Sequence, residues 1–377
     1  MEGVGSMSGR SVQAASAAHA SRTGVIVPRT MALLRSWADA GECLGAQLFA
    51  SRAGDVVADV AIGRSGPLRD ASTDDVGRLY CTVKPLTACC VARAVEAGEA
   101  SFDDPASRFL PAFCHGPRGA VTLRQLLSHS SGLPNLRLGD PYDREFDELV
   151  QTVCSYPLDR SDWYRKPTYN NTHAWAILAA VVERLYAMAF PDVVASVVAA
   201  PARLPGLRMT WPDPERYVHC YRARRDSFSI LPEPRSAVLF RKVNAAHGGF
   251  ATVRDLGMFY AELIRCATGH GDLLGEAGIR EMTRVQSVVD LGLGLGEIHY
   301  GLGFFTNMRD NGTGGLWSRR SFGHVGLIGR HRVVQAFADI DHQVAVAVRL
   351  FSVGAKNNWR FHRVCSALWS DLSLGDG

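Results

Sequence analysis

The segment around Cys81 fixes where one helix of this chain begins and which side chains share its first turn. Pro85 lacks a backbone N–H and is tolerated only in the first turn of a helix, so this helix cannot begin much before position 82. Lys84 follows Cys81 by about one helical turn, so an amine and a thiol can lie on one face. An apolar stripe then continues to Gly98, a typical stop signal. The sequence therefore predicts a helix that begins near position 82 and ends near Gly98, with Cys81 at its N-terminus.

Two further short motifs follow downstream. Tyr169 and Asn171 form a Y-x-N motif directly before a helical pattern of apolar residues. His324 and Gly326 form an H-x-G motif inside a run of apolar and glycine residues. Acyl transfer needs a nucleophile, a proton acceptor and donors for the oxyanion, and a thiol, an amine and a phenol suit the first two tasks. A C-x-x-K pattern alone is more often a buried structural cysteine, so only the three motifs together indicate a catalytic site.

Longer sequence blocks connect the three motifs. These blocks lie at residues 80–87, 102–105, 121–134, 248–256 and 300–303. In this order they resemble the serine β-lactamase-like superfamily, specifically its class C, esterase and D-aminopeptidase branch. The resemblance extends from about Gly45 to about Leu350. In that superfamily the first motif is S-x-x-K, so the resemblance implies that Cys81 stands here in place of the nucleophilic serine.

Strand patterns occur near both ends of the chain. Residues 46–50 and 56–60 lie on either side of a turn at Gly54 and predict a hairpin. Residues 332–337 and 344–350 predict two buried strands near the other end. Helices are predicted at 31–40, 174–185 and 359–372.

Residues 104–244 carry mostly helical patterns joined by Pro-rich links. Strands at both ends with helices between them indicate one sheet made from both termini and a helical insertion. This agrees with the α/β fold that the resemblance implies, an antiparallel sheet flanked by helices beside an all-helical subdomain. We therefore expect a flexible segment at 1–30, a sheet domain formed by 31–103 plus 245–377, a helical subdomain at 104–244, and an active site in the cleft between the last two.

The resemblance assigns roles to the first motif residues. Cys81 would be the nucleophile and Lys84 its partner, while Tyr169 would pass protons to the leaving group and from the incoming nucleophile. A serine at this site needs a strong base, whereas a helix N-terminus and a neighbouring ammonium both favour a thiolate. We therefore expect a Cys81 thiolate paired with a protonated Lys84.

Other residues are expected to bind and orient the substrate. Asn171 would orient the lysine or bind the substrate carbonyl, and His324 and Gly326 would also bind or orient the substrate. The backbone N–H groups of Cys81 and Leu327 would form the oxyanion hole, as the family geometry implies. His324 replaces the lysine that lactam-hydrolysing relatives carry as K-T-G, whereas H-x-G occurs in esterase-like and aminopeptidase-like members. This departure argues against β-lactam hydrolysis.

Three further polar residues near the motifs have competing interpretations. His129 lies in the segment 128–132, where its position is more typical of a residue that closes a helix and bonds a local carbonyl than of a catalytic group. Arg319 and Arg320 precede the H-x-G motif. They would either hold an anionic substrate or form a solvated hairpin end, and the sequence favours neither.

The composition limits the classes of function. With 377 residues and 47% hydrophobic residues, the chain can bury a full core. Its formal net charge is +4, but no basic run with interleaved aromatic residues suggests nucleic-acid binding. The nine cysteines are odd in number and include no C-x-x-C, so we expect reduced thiols, no zinc site and no cofactor. Cys89, Cys90 and Cys266 lie in apolar helical patterns and are expected to be small core residues.

The sequence also bears on location. No apolar run reaches the roughly 18 residues that indicate a membrane span. The first 30 residues are rich in Ser, Ala and Gly and lack a basic-then-apolar signal peptide, so we expect a cytoplasmic protein. That location would argue against cell-wall synthesis or antibiotic resistance, which act outside the membrane.

A thiol nucleophile changes the fate of an acyl-enzyme. Amines attack a thioester much faster than an oxygen ester, while attack by water gains little. Some members of the superfamily are natural-product acyltransferases that move an acyl group without ATP, and a cytoplasmic H-x-G member with a thiol resembles these. We therefore expect a transacylase that forms an amide from a small-molecule ester or thioester donor and an amine acceptor.

Two alternatives stay open. The first is a cysteine hydrolase (an esterase, thioesterase or D-amino-acid amidase) with the same intermediate. The second is a non-catalytic member that binds an acylated ligand. The intact motif residues count against it, namely Lys84, Tyr169, Asn171 and His324. The sequence does not identify the donor or the acceptor, because loops such as 136–147 and 222–241 contain no recognisable motif. It also makes no prediction of the oligomeric state.

Overall fold

The part of the chain that the computed structural model describes forms one large sheet, two small ones and surrounding helices. It comprises residues 27–135, 145–156, 167–210, 215–224, 227–231, 244–292, 296–354 and 357–374. The strands are β1 (Gly45–Arg52), β2 (Asp55–Gly66), β3 (Arg69–Asp70), β4 (Gly77–Arg78), β5 (Tyr221–Arg224), β6 (Ser227–Ile230), β7 (Phe250–Ala251), β8 (Ser287–Asp290), β9 (Glu297–Tyr300), β10 (Phe305–Thr306), β11 (Ser321–Ile328), β12 (His331–Asp339), β13 (Val344–Leu350) and β14 (Ser352–Val353). The α-helices are α1 (Pro28–Asp39), α2 (Lys84–Glu96), α3 (Leu123–Leu127), α4 (Phe146–Ser155), α5 (His173–Tyr186), α6 (Phe190–Val193), α7 (Val253–Ala267), α8 (Glu276–Thr283) and α9 (Asn357–Asp371). Short 3₁₀ turns lie at Tyr80–Val83, Ala106–Arg108, Pro111–Phe113 and Gly116–Ala120, and π turns at Val194–Ala199 and Arg309–Thr313.

Both ends of the chain contribute to the large sheet, as predicted. Its described strands run in the order β3-β2-β1-β13-β12-β11-β10-β9-β8. β1 pairs antiparallel with β13, with Ala46 opposite Leu350. The β1–β2 hairpin turns at Ala53 and Gly54, whose φ angles of 50° and 90° are left-handed. Such turns match the natural twist of two antiparallel strands, so the predicted hairpin at Gly54 is confirmed.

Helices cover both faces of the sheet. β13 is buried along its whole length, as expected of a strand with apolar layers on both sides. Ala347 belongs to the core cluster that contains α7, whereas its neighbour Val348 belongs to the cluster that contains α1 and α9. Gly257 of α7 packs so closely on β1 that an added Cβ would lie 2.1 Å from the ring of Phe49. Burying each such large apolar side chain contributes about 1.5–3 kcal/mol, and the predicted antiparallel sheet flanked by helices is confirmed.

The first described helix begins earlier than predicted. α1 starts at Pro28 rather than at Met31, so residues 28–30 are helical and do not belong to the flexible segment assigned to 1–30. Pro28 lies in the first turn, where its missing N–H leaves no helical hydrogen bond unmade. The N–H and the hydroxyl of Thr30 both donate to Asp371 Oδ2 at 2.8 Å, which joins α1 to α9. Residues 1–26 lie outside the described residues.

The helix after Cys81 has the predicted limits. The 3₁₀ turn Tyr80–Val83 leads directly into α2, which has Pro85 in its first turn. Gly98, two residues after α2, has a φ of 77°, the left-handed conformation that glycine adopts after a helix. Cys81 therefore lies in the tight turn that opens the helix, one turn before Lys84.

The segment 104–244 is not all-helical, which corrects the prediction. It contains α3 to α6 but also the β5–β6 hairpin. β5 pairs in parallel with β14, with Tyr221 opposite Ser352, so backbone hydrogen bonds hold this part of the segment extended. The alternation of apolar residues with arginines from Tyr221 to Arg224 is a period-two pattern, but four residues are too short a run to identify a strand. The division of the chain into a sheet domain and an inserted subdomain stays a prediction.

The described helices are short. The longest, α7 and α9, have 15 residues each. A helix that crosses a bilayer takes roughly 20 predominantly apolar residues. No helix within the described ranges meets the requirements for a membrane span.

Candidate active site

Cys81 lies in a turn whose backbone is tightly held. The Thr82 hydroxyl donates to the Leu79 carbonyl at 2.6 Å, which fixes the turn from inside. Tyr80, directly before Cys81, has a φ of 51°, in the left-handed region that a bulky residue rarely adopts. The Cys81 side chain is 7% exposed. The thiol is thus placed at a strained strand-to-helix turn and is nearly enclosed by protein.

Lys84 is completely buried beside Cys81. Its Nζ donates to the carbonyl oxygen of Ala246 at 2.8 Å and lies 5.2 Å from the centre of the Tyr169 ring and 5.5 Å from that of Trp175. Burial lowers the pKa of Lys84, and the charge and hydrogen bonding of Cys81 only partly oppose this. Burial therefore shifts Lys84 toward the neutral amine relative to a solvated lysine, while the neighbouring Cys81 favours the ammonium form. The expected thiolate–ammonium pair stays a prediction, and in its neutral form Lys84 is suited to accept the proton of the Cys81 thiol.

The acceptor of Lys84 comes from a segment that the motifs did not identify. Asn244 shapes this segment, because its Oδ1 accepts from the N–H groups of Ala246 and His247 at 3.0 and 2.8 Å. His247 also faces the site: burial and then Lys84 and Arg78 hold the pKa of its imidazole well below the usual range. No spacing in the sequence pointed to either residue, although both precede the block at 248–256.

Tyr169 is positioned by the edge of the large sheet. Its N–H donates to the Asp290 carbonyl at 3.0 Å, and the Asp290 N–H donates to the Pro167 carbonyl at 3.2 Å, so the segment before Tyr169 extends the sheet beyond β8. The Asn135 side-chain amide donates to the Tyr169 carbonyl at 2.7 Å. Burial, then the charge of Cys81, raises the pKa of the Tyr169 phenol well above its usual range. Tyr169 is therefore a protonated phenol that can donate to a leaving group near the Cys81 sulfur.

The two asparagines after Tyr169 have different environments. Asn170 is buried: its Nδ2 donates to the Leu133 carbonyl at 2.9 Å, and its Oδ1 accepts the Ala174 N–H at 3.0 Å in the first turn of α5. Asn171 is exposed, and its N–H donates to Asn135 Oδ1 at 2.8 Å. No hydrogen bond between described residues joins Asn171 to the lysine, which is bonded to a backbone carbonyl instead. The structure does not place Asn171 as the residue that orients the lysine, and its binding of a substrate carbonyl stays a prediction.

His129 has a structural role, as predicted, but with a different partner. It follows α3 with a φ of 58° and closes that helix. Its Nδ1 accepts the N–H of Asn170 at 3.0 Å rather than bonding a carbonyl. Burial, Lys84 and His324 all hold the pKa of His129 well below the usual range, which keeps Nδ1 free to accept. Its ring packs 4.3 Å from that of Tyr169 and so supports the phenol.

His324 of β11 is completely buried beside the Tyr169 phenol. Its Nε2 lies 3.5 Å from the Tyr169 hydroxyl and 3.1 Å from the hydroxyl of Tyr300. Its Nδ1 lies against the backbone of Val325, 2.9 Å from the carbonyl oxygen and 3.0 Å from the nitrogen. Burial and then Lys84 hold the pKa of His324 well below the usual range, so the imidazole is neutral. Tyr300 lies in the sequence block at residues 300–303, but no motif indicated a role for its side chain.

Gly326 brings β11 against the turn that contains Cys81. A Cβ at this position would lie 2.9 Å from the Leu79 carbonyl oxygen and 3.0 Å from the Cβ of Tyr80, so only glycine fits without a shift. A β-bulge follows between Gly326 and Leu327, where the pairing with β12 shifts register. Gly326 therefore sets the spacing of the strand and the turn, while the oxyanion hole of the Cys81 and Leu327 N–H groups stays a prediction.

Arg319 and Arg320 lie away from the cysteine. Both are exposed in the turn before β11, where the Arg320 guanidinium donates to Asp341 at 2.9 Å. They line a separate groove of about 290 Å³ together with Arg280 and Arg284 at the end of α8. The structure does not bring them to the Cys81 cluster.

The cysteines are free thiols in the structure. Cys89, Cys90 and Cys266 are completely buried in the main core, so the prediction that they are core residues is confirmed. Burial raises the pKa of Cys266 to about 11. In the ranges that the structure describes, no group of three or more His, Cys, Asp or Glu side chains is arranged to hold a metal ion.

Comparison with known proteins connects this site to a family. The chain is 30% identical over 233 residues to Esterase EstB of Burkholderia gladioli, an alignment that covers 52% of this chain and 57% of the esterase. The chain thus spans little more than half the length of that relative. Its fold is similar to a penicillin-binding protein homolog from Caulobacter crescentus, with a TM-score of 0.78, 21% identity, and coverage of 93% of this chain and 99% of the other. It is also similar to EstCE1, a hydrolase with promiscuous acyltransferase activity, with a TM-score of 0.75, 17% identity, and coverage of 92% and 98%.

At 21% and 17% identity, these two structures show a similarity of fold only, so the family assignment comes from the sequence comparison. The family model for the beta-lactamases matches residues 31–361. This range contains Cys81, Lys84, Tyr169 and His324 and covers well over half of the chain. The protein therefore belongs to the beta-lactamase family.

Proposed function

We propose that the protein catalyses ATP-independent acyl transfer through a thioester on Cys81, forming an amide from an ester or thioester donor and an amine acceptor in natural-product biosynthesis. The observation that carries this proposal is the buried cluster of the Cys81 thiol, the Lys84 amine and the Tyr169 phenol. Cys81 influences the pKa values of both Lys84 and Tyr169 through charge and hydrogen bonding, which shows that the three groups are neighbours. A nucleophile, a base and a general acid are thus within reach of one reacting carbonyl.

In the first step the donor acylates Cys81. The neutral Lys84 amine accepts the thiol proton as the sulfur attacks the donor carbonyl, and the carbonyl electron pair moves to oxygen. The proposed N–H donors of Cys81 and Leu327 would stabilise that oxyanion. When the intermediate collapses, the bond to the leaving group breaks and Tyr169 protonates the leaving group. Lys84 then returns a proton to the phenoxide, which leaves a thioester and a neutral amine.

In the second step an acceptor amine attacks the thioester. Tyr169 accepts a proton from the amine nitrogen while its own hydroxyl proton passes to the departing Cys81 sulfur, so the thiol is restored and an amide leaves. A thioester favours this route because amines attack it much faster than they attack an oxygen ester, while water gains little. A sulfur nucleophile therefore biases a shared intermediate toward transfer.

A cysteine hydrolase is the second candidate, and similarity to an esterase favours it. The relative with 30% identity is named Esterase EstB, and EstCE1 is described as a hydrolase with promiscuous acyltransferase activity. The same acyl-enzyme gives hydrolysis when water takes the place of the amine. An esterase, a thioesterase or a D-amino-acid amidase would each use Cys81, Lys84 and Tyr169 as described.

Intact-protein mass spectrometry tests the shared intermediate. The protein is exposed to a panel of activated esters and thioesters, with Cys81→Ala as the matched control, and acylation is mapped to a residue. We expect one acyl group per chain on Cys81 and none in the control. Product analysis with and without an added amine then separates amide formation from hydrolysis. If the protein binds acylated ligands but Cys81 never becomes acylated, the result supports the non-catalytic alternative.

A further inference from the structure

Tyr300 contacts His324 in the candidate active site but has no part in the proposed reaction. It is the last residue of β9 and is completely buried. Its hydroxyl lies 3.1 Å from His324 Nε2, closer than the Tyr169 hydroxyl at 3.5 Å. The two phenols therefore compete for one ring nitrogen.

The direction of the Tyr300 hydrogen bond follows from burial. Burial, then the charge of Cys81, raises the pKa of the Tyr300 phenol well above its usual range, so its O–H is retained. Among the hydrogen bonds of the described residues, the one to His324 Nε2 is the bond that this hydroxyl makes. A buried donor left without an acceptor costs about 1–3 kcal/mol, so Tyr300 donates and Nε2 accepts. The imidazole then carries its proton on Nδ1, which donates to the Val325 carbonyl oxygen at 2.9 Å rather than accepting from the Val325 N–H, which lies 3.0 Å from the same nitrogen.

This arrangement leaves the proton of Tyr169 available for the reaction. The in-plane lone pair of Nε2 is taken by Tyr300, and 3.5 Å is longer than a normal O–H···N bond. The Tyr169 hydroxyl is thus not committed to a short bond with His324, and Cys81 is among the neighbours that influence its pKa. Tyr300 thereby leaves the Tyr169 proton available to the Cys81 sulfur of the proposed reaction.

The packing around Tyr300 holds it in this position. Its ring lies edge-on to His129 at 4.6 Å and to Phe305 at 5.6 Å. The titratable groups that face His324 are Tyr169, Tyr300, His129 and Lys84. Since burial favours the neutral form of each of these groups, the hydrogen-bond pattern rather than a formal charge decides where protons lie.

We infer that Tyr300 is a positioning residue that occupies His324 Nε2 and so reserves the Tyr169 proton for the Cys81 sulfur and the leaving group. The inference rests on the proposed function for its kinetic consequences, but the position of the imidazole proton can be read without any turnover. Removal of the Tyr300 hydroxyl lets Tyr169 donate to Nε2 and turns its proton away from the nucleophile.

The kinetic test compares Tyr300→Phe with Tyr260→Phe. Tyr260 is also completely buried, but its hydroxyl makes no hydrogen bond among the described residues, so it controls for the loss of a buried phenol. We expect Tyr300→Phe to lower kcat roughly tenfold with little change in KM, because proton transfer and not binding is affected. The acid limb of the rate profile should move to higher pH by up to about one unit, since a donor that favours neutral His324 is gone. Tyr260→Phe should change neither.

The structural test reads the tautomer of His324 by ¹⁵N NMR of histidine-labelled protein, with His324→Gln used to assign the signal. We expect a protonated Nδ1 and an unprotonated Nε2 at neutral pH. A protonated Nε2, or a Tyr300→Phe variant with an unchanged pH profile and kcat, would overturn the inference. If no ester loads Cys81 in the wild type, the proposed function fails, while the tautomer still decides the role of Tyr300.

Discussion

The Lys84 amine lies 2.8 Å from the carbonyl oxygen of Ala246, and this bond joins the helix α2 to the segment before β7. A carbonyl is a neutral acceptor, so it orients the amine without supplying a negative charge that would keep it protonated. Burial is the largest influence on the pKa of Lys84 and lowers it, and Cys81 opposes this only in part. Desolvation therefore favours the neutral amine of Lys84, and its partner is a main-chain atom that no side-chain motif encodes.

Lys84→Met should reveal, in the pH dependence of stability, that burial lowers the pKa of Lys84. Between the lowered pKa of the folded state and the unfolded value of about 10.4, the unfolded chain binds more protons, so wild-type stability rises with pH. Methionine has a similar length and no charge, so the variant lacks this rise. The difference in Tm, variant minus wild type, should fall as pH increases between those two pKa values. Thermal unfolding followed by circular dichroism measures it, and a constant difference would mean that burial does not lower the pKa of Lys84.

Gly326→Ala should damage the site through the turn that contains Cys81. The new Cβ would lie 2.5 Å from Val334 Cγ1 and 2.9 Å from the Leu79 carbonyl oxygen, so β11 or the turn must shift. We expect a loss of about 1–3 kcal/mol in the free energy of unfolding and a larger loss in acylation rate. Gly315→Ala is the matched control, because a Cβ there has no atom within 4 Å. Denaturant unfolding and acylation kinetics, measured on both variants, show whether the close approach of β11 at Gly326 affects stability and the acylation rate.

Much of the fold could be predicted because local signals were strong. Pro85 and Gly98 mark the limits of the helix α2, and the alternating segments around Gly54 mark a hairpin. The β5–β6 hairpin was missed because only four residues on each side alternate and because its pairing partner, β14, lies about 130 residues away. A short strand of that kind is fixed by tertiary hydrogen bonds rather than by its own pattern.

The candidate site was predicted where side chains form the cluster, and it was missed where a backbone group or burial shapes the cluster. Cys81, Lys84 and Tyr169 come together as the motifs predict. The acceptor of Lys84, the Ala246 carbonyl, has no sequence signature because every residue carries one. The protonation states of Lys84 and His324 were also beyond the sequence, because desolvation depends on how many distant elements pack around each group.

Cys81 should be the cysteine that iodoacetamide modifies first. Lys84 can accept its proton, whereas burial raises the pKa of the thiols of Cys43, Cys89, Cys90, Cys154, Cys266 and Cys365. Cys114 is exposed and serves as an internal reference. Lys84→Met should slow modification of Cys81 but not of Cys114. Peptide mapping over time gives both rates, and earlier labelling of another cysteine would argue against Lys84 as the activating base.

Cys81→Ala should abolish turnover and leave the fold intact. Alanine fits the 3₁₀ turn, and the change removes little buried volume because the side chain is small. We expect less than about 1% of wild-type activity, with a change in unfolding free energy on the order of 1 kcal/mol. Retention of more than a few per cent of activity at an unchanged Tm would remove Cys81 as the nucleophile.

Cys81→Ser should shift the balance of products rather than only reduce the rate. Lys84 and Tyr169 would still activate a hydroxyl, so the variant should acylate, though more slowly. Its acyl-enzyme would be an oxygen ester, which responds less to amines and reacts more evenly with water. At equal acceptor concentration and pH, the ratio of amide to acid product should therefore fall below that of the wild type.

Quantification of amide and acid by mass spectrometry over a range of amine concentrations measures that ratio. Asn171→Ala, an exposed change at the cleft that leaves the thiol in place, controls for weakened substrate binding, because it should alter KM more than the ratio. If Cys81→Ser leaves the ratio unchanged, acceptor binding or exclusion of water directs the reaction and sulfur does not. If the wild type releases only free acid with every amine, the second candidate function, hydrolysis, replaces transfer.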